Sequence, residues 1–269
     1  MGADSYIQSL LVSNALRRST LREMLGALRL PKGSRGLDLG CGAGLQCLLA
    51  AEQIGPSGHV TGLDISEQML EYGRKMVEKA GLAERINFQQ GDVARLPFSD
   101  DTFDWVYSID CVGYAPWEPL PLLREMMRAV KPGGIVAIAA WSSEQLLPGY
   151  PRLEARLRAT TAGIAPFEQG RDPSLHFLRA LGWFRELGLR GSEARTFAGS
   201  AHAPLSDELR SGLAALFEMR WPEVESELSA DDLEQFRRLC LPDSSEFILE
   251  LPDYFASFTY ALFWGEVPD

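Results

Sequence analysis

Apolar positions recur along this chain with two periods. From residue 5 to 30, the apolar positions Ile7, Leu10, Leu11, Leu16, Leu21, Met24, Leu25 and Leu28 predict one or two amphipathic helices ended by Pro31-Lys32-Gly33. Short apolar runs then alternate with helical patterns. Strands are expected at Gly36–Leu39, His59–Ile65, Ile86–Gln90, Phe103–Ile109 and Ile135–Trp141, the last after a Lys131-Pro132-Gly133-Gly134 turn. Helices are expected at Leu45–Ile54, from Ser66 onward with Ser66 as cap and Glu67 in the first turn, and at Leu120–Val130. Strands separated by helices require crossover connections, hence a largely parallel sheet with helices on both faces.

The second half reads less regularly. A helix over Pro151–Thr161 and a Pro/Gly-rich stretch lead to a helical pattern at Leu175–Leu187 and a strand at Glu193–Gly199. Residues 204–250 are mostly helical in pattern, and the aromatic run Tyr254–Val267 reads as a closing strand. The expected organisation is an N-terminal helical segment (1–32), an α/β domain built from 33–203 and 251–269, and a helical insertion (204–250) placed as a substrate lid before the last strand.

Charge narrows the partners. The 269 residues are 46% apolar and 23% charged, with a formal charge of −11. From Pro204 to Asp253 there are 13 acidic and 4 basic residues, a local balance of −9. Clustered basic side chains carry phosphate binding, so neither nucleic acid nor an anionic membrane is expected as a partner. Four cysteines (Cys41, Cys47, Cys111, Cys240) without regular spacing form neither a disulfide framework nor a zinc site, which fits a reducing, cytoplasmic setting without metal. No run approaches the roughly 18 apolar residues of a membrane span, and Tyr6 breaks the myristoylation pattern begun by Met1-Gly2. A soluble protein without an anchor is expected.

The candidate chemistry gathers after the first strand. Leu37-Asp38-Leu39-Gly40-Cys41-Gly42-Ala43-Gly44 sets three glycines at a spacing of two between strand and helix, where backbone can approach a ligand. Asp64 ends the next strand 24 residues after Gly40, placed to accept hydrogen bonds from ribose hydroxyls. Together they point to an adenosine-containing ligand. A dinucleotide fingerprint would read GxGxxG and receive a pyrophosphate; here the pattern is GxGxG, with Asp38 a poor neighbour for pyrophosphate and a good one for a cationic amine.

These stretches, with Val60–Ser66, Gly91-Asp92-Val93, Leu96-Pro97-Phe98, Phe103-Asp104 and the Lys131–Gly134 turn, resemble the class I S-adenosylmethionine-dependent methyltransferases, in the small-molecule branch that includes the ubiquinone and menaquinone biosynthesis enzymes. The resemblance runs from about residue 33 to 141. It implies a Rossmann-like, seven-stranded, mostly parallel sheet with an antiparallel last strand. It implies Gly40, Gly42 and Gly44 under the methionine part of S-adenosylmethionine, Asp38 near its amino group, Asp64 on the ribose, Ile65 against the adenine, and Asp92 at the adenine amine with Val93 beside it. Ser108 to Cys111 are then expected to face the methyl donor. The competing explanation for Ile65 and Val93 is core packing, and for Asp64 and Asp92 it is a capping or turn role.

Methyl transfer from a sulfonium is a direct displacement that needs alignment, and a base only if the acceptor must lose a proton. Candidates at the carboxyl ends of the strands are Asp110, His176 and His202, each weighed against a structural role; His59, before its strand, belongs to the opposite rim. The Asn/Asp-Pro-Pro-Tyr/Phe signature of adenine and amide N-methylating enzymes is replaced by Ile109-Asp110-Cys111-Val112. An arsenite reading for Cys111 and Cys240 lacks its adjacent-cysteine element; buried small hydrophobes suffice. The expectation is O- or C-methylation of a small apolar acceptor, yielding S-adenosylhomocysteine, with Tyr6, the 204–250 insertion and the first residues of the aromatic run enclosing the acceptor. A non-catalytic cofactor-binding regulatory subunit and a nicotinamide oxidoreductase stay as alternatives, and the oligomeric state is left open.

Overall fold

The computed structural model describes residues 3–113, 117–164 and 171–269. Residues 165–170 of the Pro/Gly-rich stretch, and Met1-Gly2, lie outside them. The N-terminal pattern forms one helix, α1 (Ala3–Ala27). Then follow β1 (Arg35–Leu39), α2 (Leu45–Ile54), β2 (His59–Asp64), α3 (Glu67–Lys79), β3 (Ile86–Gln90), β4 (Phe103–Ile109), α4 (Pro119–Ala129) and β5 (Val130–Gln145). The second half holds α5 (Pro151–Arg158), α6 (Thr161–Ile164), α7 (Ala180–Glu186), β6 (Arg190–His202), α8 (Asp207–Arg220), α9 (Ala230–Cys240) and β7 (Phe255–Glu266).

The strands form one seven-stranded sheet in the order β3-β2-β1-β4-β5-β7-β6. The pairs β1–β2, β1–β4, β2–β3 and β4–β5 are parallel. Gly133 N–H donates to the Val267 carbonyl and Val267 N–H to that of Gly134, both at 2.9 Å, so the end of β7 meets the start of β5 and the two strands run in opposite directions. The mostly parallel sheet with a reversed last strand is as expected.

By its internal contacts the chain divides into two compact units. The sheet unit comprises Thr20–Ser142, Arg171–Phe197 and Tyr260–Asp269. Its core is the apolar runs of the central strands: Leu37, Leu39, Val106, Val136 and Ile138 are buried with Leu123 and Met126 of α4 and Phe184 of α7. Ser66 caps α3, its Oγ accepting from Met69 N–H at 3.3 Å, an interaction worth about 1 kcal/mol. The helical unit comprises Met1–Ser19, Ser143–Gly170 and Ala198–Thr259. There α8 lies close to α1, a Cβ built on Gly212 falling 3.2 Å from the Val12 carbonyl. Phe217, Trp221, Phe236 and Phe247 form an aromatic cluster, and Arg220 pairs with the buried Glu144 at 2.7 Å. The unit boundaries cross α1, whose first 17 residues (Ala3–Ser19) group with the 204–250 segment, and β7, whose two ends fall in different units.

Three elements differ locally. The Lys131–Gly134 turn lies within the span of β5 as a bulge, Phe103 pairing with Val130 and Trp105 with Ile135. The Leu175–Leu187 pattern breaks into two 3-10 turns, Pro173–Leu175 and Phe177–Arg179, before α7, because His176 adopts an extended conformation and caps the second turn. The Pro151–Thr161 helix stops at Arg158, where Thr160 Oγ donates to the Leu157 carbonyl and accepts from Gly163 N–H. Such side-chain bonds compete with helix continuation.

Candidate cofactor site at the glycine loop

β1 ends at Leu39, and the three glycines that follow are all left-handed, with φ of 69° at Gly40, 52° at Gly42 and 71° at Gly44. A side chain would be strained at each position, and at two of them it would also collide. A Cβ on Gly40 would lie 2.5 Å from the Cys111 sulfur, and one on Gly44 would lie 2.5 Å from the Phe88 ring. Gly44 N–H donates to the Cys41 carbonyl, and α2 begins there without a side-chain cap. The turn is tied to β2: Gly40 and Cys41 N–H groups both donate to the Leu63 carbonyl, at 2.8 and 3.0 Å.

Asp64 closes β2 with its carboxylate in use at both oxygens. Oδ2 accepts from Gly42 N–H at 2.8 Å and Oδ1 from Ser66 N–H at 2.9 Å. An ionised carboxylate has about four acceptor positions, so capacity remains for hydroxyl donors. Ile65, next in sequence, is 70% exposed, which excludes core packing as the reason for an apolar residue there. Gln90 holds the Ile65 carbonyl at 3.0 Å, and Gly91 N–H donates to the Asp64 carbonyl. Asp92 is exposed and makes the turn bond expected of such an acid, Oδ1 accepting from Ala94 N–H at 2.8 Å.

Beneath the loop, Asp38 is only 2% exposed. Its Oδ2 accepts from the Cys47 thiol and the Tyr107 hydroxyl, each at 3.2 Å. Burial pushes the carboxyl up to about 7, against the lowering pull of the hydrogen bonds from Cys47 and Tyr107. Tyr107 faces Asp38 in the β1–β4 register and stacks on Trp105, whose indole N–H donates to Ser34. Tyr107, Cys47, Phe88 and Gln90 were not anticipated as site residues. No local signal singles out Tyr107, because β4 is buried on both faces from Trp105 to Ile109.

Two anticipated residues are buried. Ser108 was expected to face the methyl donor; it is fully buried, donating to the Leu39 carbonyl at 2.8 Å and accepting from Val112 N–H at 3.0 Å, so its hydroxyl joins the ends of β1 and β4. Val93 was expected beside the adenine; its side chain is 8% exposed and belongs to the apolar core. Cys111 packs against Gly40, and burial pushes its thiol up to about 12, as it does that of Cys240, so both behave as small hydrophobes.

The candidate bases are distributed unequally. Asp110, left-handed at φ 56°, accepts from Trp141 N–H at 2.9 Å and from the Tyr260 hydroxyl at 3.1 Å, linking the end of β4 to β5 and β7. His176 spends Nδ1 on Leu178 N–H at 3.2 Å, and the neighbouring Phe177 and Trp183 lie against Gly113, just past β4. His202 belongs to the helical unit, exposed, with Nδ1 3.0 Å from the Ala203 carbonyl. Of the aromatic run, Tyr254, Phe258, Tyr260 and Phe263 are buried, whereas Phe255 is 52% exposed. Among the described residues no His, Cys, Asp and Glu cluster could hold a metal, and no helix is long and apolar enough to cross a membrane.

Known proteins resemble this chain in sequence and in fold. A Demethylmenaquinone methyltransferase from Listeria welshimeri is 39% identical over 132 residues, covering 49% of this chain and 55% of its own length. One from Staphylococcus aureus is 38% identical over 124 residues, covering 46% and 49%. The chain therefore spans about half the length of the curated relatives it matches. Among solved structures, a geranyl diphosphate methyltransferase in complex with S-adenosylmethionine superposes with a TM-score of 0.53 at 15% identity, over 93% of this chain and 84% of that one. The cyclase SpnF gives 0.51 at 19% identity, over 92% and 81%, so the fold alone does not choose the reaction. A family model described as a methyltransferase domain matches residues 30–173, from the end of α1 through the glycine loop, Asp64 and Asp110. With that match spanning more than half of the 269 residues, this chain belongs to the methyltransferase-domain family.

Proposed function

We propose that the protein transfers a methyl group from S-adenosylmethionine to an oxygen or carbon of a small apolar molecule. The observation that carries this reading is the left-handed glycine turn pinned to the Asp64 carboxylate beside the exposed Ile65. A cradle that a Cβ would fill, an anionic acceptor with spare capacity and an apolar surface suit the amino-acid, ribose and adenine parts of the cofactor in turn. When bound, S-adenosylmethionine supplies a sulfonium methyl group. In this reading Gly40, Gly42 and Gly44 admit its amino-acid part, Asp38 offers negative charge to the amine from beneath, and Asp64 accepts from the ribose. Ile65 lies against the adenine and Asp92 takes its amino group. Asp110 and His176 are the groups assigned to proton handling, and His202 a third candidate.

The acceptor is carried over only as a class. The Listeria and Staphylococcus relatives are named for demethylmenaquinone, but the match covers about half of each chain, so we retain a small apolar acceptor and not that compound. Acceptor selection is assigned to the 204–250 segment and a cytoplasmic setting to the whole.

Calorimetric titration with S-adenosylmethionine, S-adenosylhomocysteine and NAD tests the reading. Both adenosyl ligands are expected to bind in the micromolar range, and Asp64→Ala to weaken them roughly tenfold or more, the loss of a charge-assisted hydrogen bond. Binding of NAD alone, or of none of the three, overturns it. Binding without methyl transfer to any small acceptor selects the regulatory alternative.

A further inference from the structure

Among the described residues β6 is the last strand of the sheet, hydrogen-bonded to β7 and to no other strand. Its other side is a free edge, and along Arg190–Thr196 every residue except Ser192 is exposed. Exposed edges of this length are usually blunted by proline, inward charge or a covering element, because the unpaired backbone groups recruit another strand. The run Arg190-Gly191-Ser192-Glu193-Ala194-Arg195-Thr196 has no proline, and its charges alternate in sign. Glu193 makes no ion pair among the described residues, and Arg195 has only a 3.9 Å approach to Glu23 besides lying over the Phe197 ring.

Two copies meeting edge to edge across a two-fold axis normal to the sheet must pair antiparallel, and only residues of like side-chain phase can face one another. That leaves few registers. Centred on Glu193 the two glutamates oppose each other, and centred on Arg195 the two arginines do. Centred on Ala194, Glu193 of each copy faces Arg195 of the other, and Ser192 faces Thr196. One register therefore turns both charges into cross-strand pairs, while its neighbours create like-charge contacts, which are destabilising.

We propose that β6 is the interface of a homodimer in which two seven-stranded sheets join through antiparallel pairing centred on Ala194. The edge is short, at the small end of specific interfaces, so the dimer forms in the micromolar range rather than as an obligate assembly. The inference is independent of the methyl-transfer reading.

Sedimentation velocity of the full chain over a micromolar concentration series tests it. The unmodified protein is expected to dimerise. Glu193→Arg and Arg195→Glu alone are each expected to weaken dimerisation roughly tenfold or more, since each replaces two attractive pairs by two repulsive ones. The double variant is expected to dimerise again, with circular dichroism confirming that every variant is folded. Register is read separately by mild oxidation. Ala194→Cys is expected to cross-link to its own copy, its Cα atoms being about 4.5 to 5.5 Å apart, within disulfide reach. Ser192→Cys is not, because its copies lie about 13 Å apart along the strands. A chain that stays monomeric throughout, single variants that dimerise undiminished, or a double variant that fails to recover overturns the proposal. Cross-linking at position 192 in preference to 194 overturns the register.

Discussion

Asp38 is a carboxylate held where its charge is costly. Its pKa rises from 3.8 to about 7 on burial, so the folded state keeps its proton where the unfolded chain has lost it. The stability contributed is full below about pH 4, falls as pH rises to about 7 and is constant above that, a loss on the order of 4 kcal/mol. Asp38→Asn is expected to flatten this slope, measured by urea unfolding from pH 4 to 8. In the proposed reading the amine of S-adenosylmethionine beside it favours the ionised form, so cofactor affinity is expected to rise through the same interval and to lose that dependence in Asp38→Asn, as titration would read. Gly44→Ala meets both a left-handed φ and the Phe88 ring, and is expected to cost roughly 1–3 kcal/mol in thermal unfolding and to abolish micromolar cofactor binding. The glycine turn was legible in the sequence because the loop is contiguous and its left-handed conformation at Gly40, Gly42 and Gly44 admits little but glycine. Val93 and Ser108 were named for the same neighbourhood, but which way each points depends on the neighbouring strands and helices.

At the scale of elements, the helix and strand assignments held where the apolar period was unbroken. α2, β3 and β4 begin and end where their patterns do. They departed where a side chain bonded its own backbone, as at His176 and Thr160, or where a bulge admitted a turn within β5. Asp110 joins three strands through two hydrogen bonds. Asp110→Ala is expected to lower stability by about 2–3 kcal/mol and Tyr260→Phe by about 1 kcal/mol, measured by denaturant unfolding. If Asp110 also moves the acceptor proton, Asp110→Asn will retain cofactor affinity and lose turnover. Retained turnover would restrict Asp110 to joining strands.

For the whole molecule, the negative charge is concentrated in the helical unit, which holds the acidic run from Pro204 to Asp253. That unit also buries the Trp221 indole nitrogen without a partner among the described residues. Trp221→Phe removes the stranded donor but leaves a void against Phe217 and Phe236, and is expected to change stability by less than about 1 kcal/mol in thermal unfolding. The sequence alone determined the α/β alternation and the glycine loop with its acids, because each rests on adjacent residues or a short period, whereas the reversed last strand was implied only by the family resemblance. Tertiary structure decided what the candidate residues do. Asp38 meets Tyr107 across 69 positions, and Asp110 meets Tyr260 across 150. It also divided the chain into compact units that cut across α1 and the last strands. Pairings over such separations follow from how strands order themselves in the sheet, which no local pattern of apolar and polar residues records.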